Sequence, residues 1–86
     1  MTNRQVKQSL LIKYGRKCMM CGKKTKKGER TLHHIIPKSE GGETTEDNGA
    51  ILCANCQKGI QPFKFGDEGY TTMVITILKN KKEGGR

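Results

Sequence analysis

Apolar residues along this chain come in short bursts between long polar stretches. Val6, Leu10, Leu11 and Tyr14 recur at helical spacing. Thr2 stands ahead of them with Gln5 three residues on, a capping-box pattern, and Gly15 follows where a helix would end. The spacing predicts a helix over 3–14 whose apolar stripe packs on the module that holds the cysteines. Residues 31–35 (Thr-Leu-His-His-Ile) and 49–52 (Gly-Ala-Ile-Leu) read as two short strands, separated by a polar loop with a Gly41-Gly42 pair. A second helix is expected over 54–60, limited by Pro62. Residues 70–78 are rich in Thr, Val and Ile and read as an extra C-terminal strand. The domain is expected to span 1–79, with 80–86 a polar, disordered tail.

Such a chain holds little core. It has 86 residues, of which 33% are hydrophobic, and lacks Trp. A core of that size supplies about 3–5 kcal/mol, so a further staple is expected. No apolar run approaches the ~18 residues of a membrane span or the core of a signal peptide. The expectation is an intracellular protein, cytoplasmic, and in the host cytoplasm if phage-encoded.

The four cysteines supply the staple. They fall as Cys18-x2-Cys21 and Cys53-x2-Cys56. In a reducing compartment such paired knuckles read as a structural Zn2+ site with four thiolate ligands. A redox CxxC would need a βαβ surround that the pattern lacks, and iron–sulfur clusters generally use other spacings. Zinc bound by small peptides contributes about 10–16 kcal/mol, more than the core lacks.

Charge is placed unevenly. The formal net charge is +9, and residues 1–30 carry a net +9 by themselves, against −3 for 31–69 and +3 for 70–86. The basic field therefore surrounds the first knuckle, and a polyanion is its natural partner. Lys17, Lys23, Lys24, Lys26, Lys27, Arg30 and Lys38 are the candidate contacts. Lys exceeds Arg by 13 to 4 and aromatics are 5% of the chain, which favours non-specific phosphate contacts over base reading.

His33 and His34 are the only histidines and they are neighbours. On a strand they would point to opposite faces and could do different work. Their setting is Leu32-His33-His34-Ile35-Ile36-Pro37-Lys38-Ser39-Glu40-Gly41-Gly42, then Asp47-Asn48, then Leu52-Cys53-Ala54-Asn55-Cys56. Together with Tyr14-Gly15-Arg16-Lys17-Cys18-Met19-Met20-Cys21-Gly22 upstream, this strongly resembles the HNH endonuclease family, in its branch with four zinc-binding cysteines. The resemblance covers about residues 10–58.

What the resemblance implies is a small α+β, zinc-stapled domain with a ββα-metal core. It implies a metal-dependent DNA endonuclease of low sequence specificity, with a phage or mobile-element origin as the accompanying expectation. His34 matches the general base that takes a proton from water. His33 matches a ligand of the catalytic divalent metal, such as Mg2+ or Mn2+. Asn48 matches the middle letter, which ligates that metal or orients the base through the loop. The last letter is normally His, and Gln57 stands there instead. A carboxamide is a poor zinc ligand but suits Mg2+ or Mn2+. The alternative reading is a catalytically inactive zinc module that binds nucleic acid or a protein partner.

Overall fold

The computed structural model describes residues 1–84. Helix α1, Asn3–Tyr14, opens the chain. The Thr2 hydroxyl accepts from the Gln5 N–H while the Gln5 side chain accepts from the Thr2 N–H, so both halves of the expected capping box form. Gly15 closes the helix at φ 83°, a conformation other residues rarely adopt. Val6 and Leu10 are fully buried, with Leu11 and Tyr14 packed beside them.

Strands β1, Thr31–His34, and β2, Gly49–Leu52, pair antiparallel, with His33 opposite Ala50 and His34 opposite Gly49. All of β2 is buried, because α1 lies across it. A side chain on Gly49 would meet Val6 and Leu10 at 3.0 and 3.1 Å, so the glycine lets the helix sit directly on the strand. Cys53 then caps helix α2, Ala54–Ile60, whose Ile60 returns to the core. Helix, two strands and helix are the small α+β architecture that the sequence implies.

The extra C-terminal strand expected over 70–78 is instead part of helix α3, Glu68–Gly84. Its Thr and Ile content pointed to a strand, but its burial follows helical spacing: Tyr70 and Ile77 are buried, and Met73 and Val74 pack against the core between them. Thr72 and Thr76 return their hydroxyls to the carbonyls four residues back, which accommodates them in a helix. The same face continues to Asn80 and Lys81. Asn80 donates to the carbonyls of Met19 and Met20, and Lys81 Nζ to those of Glu46, Asp47 and Gly49. These bonds explain why the tail expected to be disordered over 80–86 is helical through Gly84; Gly85 and Arg86 lie outside the described residues. No helix of the described residues is long and apolar enough to cross a membrane.

Candidate metal centre and histidine cleft

Residues 17–24 form a tight hairpin in which the Cys18 N–H donates to Lys23 O and the Gly22 N–H to Cys18 O. Gly22, at φ 77°, makes the turn that lets Cys18 and Cys21 face one point. Met19 fastens this hairpin to β2: its N–H donates to Ile51 O, and its sulfur accepts from the Ile51 N–H. The hairpin therefore meets the Cys53–Cys56 turn at a fixed distance.

The four thiols are free, and their sulfurs all lie within 4.8 Å of one another, Cys21 and Cys53 at 3.9 Å. Four sulfurs at ~2.3 Å from one tetrahedral ion stand ~3.8 Å apart, so the cluster fits a zinc ion. Cys18 is prepared for it. Burial raises the thiol, but backbone N–H groups around Cys21, Cys53 and Met20 outweigh burial and lower it to about 7. Burial and the three neighbouring sulfurs push the Cys56 thiol up. Among the described residues no other set of three or more His, Cys, Asp or Glu side chains stands close enough to share an ion.

The histidines lie at the other end of the sheet. Both border an open cleft of about 360 Å³, whose walls include Lys38, Gln57, Gln61, Phe63, Phe65 and Tyr70. His33 Nε2 lies 3.0 Å from Tyr70 Oη, and His34 Nε2 lies 3.2 Å from Thr44 Oγ1. Burial, then the charge of His34, pushes His33 below the ordinary histidine value; burial, then Lys38, pushes His34 below it too. Both shifts favour the neutral imidazole. The Thr44 hydroxyl is the partner of the Nε2 ring nitrogen of His34.

Asn48 does not offer its carboxamide to the cleft. Oδ1 accepts from the Ile36 N–H, and Nδ2 donates to the carbonyls of Ile36 and Glu43. With the Ile35 N–H on Asn48 O, these bonds close the loop between the strands. Of the two roles the resemblance implies for Asn48, metal ligand or loop orientation, these hydrogen bonds engage its carboxamide in the loop. The glycine pair serves the same loop. Gly41 takes φ 86°, and any side chain on Gly42 would stand 1.7 Å from Ile36 O.

Gln57, next to Cys56, lines the cleft and accepts from Thr31 Oγ1 at 3.4 Å. Of the seven candidate basic contacts, only Lys38 borders the cleft. Lys26, Lys27 and Arg30 line a separate groove with Arg16 beside α1, where Arg30 Nε is buried without a partner. Lys17, Lys23 and Lys24 are exposed on the hairpin. The sequence alone did not point to Gln61, Phe63, Phe65 and Tyr70 as cleft residues, or to Thr44 as the partner of His34. For Tyr70 the helical spacing with Met73, Val74 and Ile77 was the available signal; the others left none.

Comparison with known proteins agrees with this geometry. A Type IV methyl-directed restriction enzyme, EcoKMcrA of Escherichia coli (strain K12), is 35% identical over 51 residues, which are 59% of this chain and 18% of that enzyme. The chain thus spans less than a fifth of the relative's length. The family model for HNH endonucleases matches residues 18–61, from the first cysteine to just past α2. The chain belongs to the HNH endonuclease family.

Proposed function

We propose that this domain is a metal-dependent DNA endonuclease in which His34 is the general base. The observation that carries the reading is His34 on the wall of the cleft with its Nε2 3.2 Å from Thr44 Oγ1, in surroundings that hold its pKa below the ordinary value. If Nε2–H is given to that hydroxyl, Nδ1 keeps the lone pair that takes a proton from water. The water oxygen bonds to phosphorus, the bond to the 3′ oxygen breaks, that oxygen takes a proton from solvent water, and 5′-phosphate and 3′-hydroxyl ends result. Lys38, on the same cleft, holds the approaching phosphate.

His33 and Gln57 are the residues that would hold a catalytic Mg2+ or Mn2+. They supply few donors and no carboxylate, which suits a cation whose other positions belong to water and phosphate oxygens. Bound there, it would neutralise charge on the phosphate. The basic groove of Arg16, Lys26, Lys27 and Arg30 gives DNA a second set of phosphate contacts, independent of sequence.

Supercoiled plasmid with zinc-loaded protein and added Mg2+ or Mn2+ should be nicked. His34→Ala should lower the rate about 10²- to 10⁴-fold, the usual worth of a general base. Nicking that survives His34→Ala would remove this mechanism. Gln57 favours a second reading, an inactive module that binds nucleic acid or a protein partner. It expects salt-sensitive DNA binding without cleavage in any metal, and Gln57→His restoring cleavage would identify it as a lapsed nuclease.

A further inference from the structure

Tyr70 belongs to α3, outside the segment that the HNH family model matches. Its ring is buried, at 4% exposure, and its hydroxyl has three neighbours. Two are carbonyl oxygens, Ile35 O at 2.6 Å and His34 O at 3.4 Å; the third is His33 Nε2 at 3.0 Å. A phenol has one proton to give. A carbonyl oxygen has none, so an oxygen–oxygen approach of 2.6 Å requires that Tyr70 spend its proton on Ile35. Toward His33 the phenol oxygen can then only accept, and Nε2 must carry the hydrogen. In a neutral imidazole this leaves the lone pair on Nδ1.

We propose that Tyr70 is a positioning residue that locks His33 in its Nε2–H tautomer and so leaves Nδ1 as the nitrogen that can bind a cation. The consequence for metal rests on His33 holding the catalytic cation, as proposed above; the tautomer does not. Metal-binding histidines generally owe their tautomer to such a second partner, whose removal weakens metal binding. Here the partner arrives on a helix, from 37 residues along the chain. That helix is anchored at its far end, where Asn80 grips the cysteine hairpin and Lys81 grips the loop that precedes β2. The anchor keeps the phenol in register with β1. The bond to Ile35 O also holds the backbone just past the end of β1.

The test is the protonation pattern of His33 in zinc-loaded protein, read by long-range ¹H–¹⁵N correlation spectra above pH 7. Wild type should show the Nε2–H form. Tyr70→Phe should give a mixture of both tautomers. The Mn2+ concentration for half-maximal plasmid nicking should also rise about 10- to 100-fold, with little change at saturating Mn2+. As a control, Ile77→Val loosens the same helix without touching His33, and should leave both readouts unchanged. An Nδ1–H form in wild type overturns the proposal. So does an unchanged tautomer in Tyr70→Phe, or an Ile77→Val variant that shifts as far. If Tyr70→Phe does not fold, the wild-type spectrum still decides. If the protein nicks nothing, the proposed nuclease fails while the spectra still judge Tyr70.

Discussion

The cysteine cluster and the histidine cleft stand on adjoining residues, Cys56 and Gln57 of α2, yet they are built by opposite rules. The cluster collects four ligands of one kind within 4.8 Å, leaving a tetrahedral ion no open position. The cleft brings together two imidazoles, carboxamides and one lysine around open space. Its side chains are aimed by others: Thr44 on His34, Tyr70 on His33. A closed ligand set stabilises a fold, whereas an open one leaves room for water and a phosphate. On the proposed function, the chain separates stability from chemistry between neighbouring residues of one helix.

Removing the ion should break the comparison most completely. Chelation, or Cys53→Ala, should unfold the domain, because ~10 kcal/mol of lost metal binding matches the whole stability of a small domain. Loss of far-ultraviolet helical signal measures it; a chelated protein that keeps its helices would contradict the role given to the cluster. Gly42→Ala should come next, with a cost of about 3 kcal/mol, since its methyl group would collide with Ile36 O. Urea titration checks this, and nicking should fall as the loop beside His34 shifts while bound zinc stays.

Protonation sharpens the comparison without disturbing the fold. A general base works only when neutral. Burial and Lys38 hold His34 below its ordinary 6.5, so lowering pH should leave the rate intact until below that value. A kcat/KM profile with its acid midpoint above 6.5 would contradict the environment assigned to His34. The smallest effect expected is that of Thr44→Val. Losing one hydrogen bond to His34 should slow nicking about 3- to 10-fold, with melting temperature nearly unchanged.

Local pattern made much of this fold legible. The helix over 3–14 announced itself through Thr2, Gln5 and a stripe at helical spacing, and β2 and α2 through an apolar run entering a cysteine turn. The cysteines could be grouped because a two-residue gap constrains geometry by itself. Helix α3 was misread because β-branched residues carry a strand preference that tertiary packing overrode; Tyr70, Met73, Val74 and Ile77 held the correct period. The partners of the histidines were hidden for another reason. Tyr70 and Thr44 reach them across 37 and 10 residues, through contacts that exist only once the helices have docked. Asn48 was visible as a motif letter, but only its three side-chain hydrogen bonds reveal loop closure.

The division of labour between the two centres is tested most directly by counting metal through a cleavage reaction. Purified protein should carry one zinc per chain, show no nicking until Mg2+ or Mn2+ is added, and retain that zinc after turnover. Full nicking by the zinc protein with no second cation, or zinc displaced by the activating ion, would contradict the account.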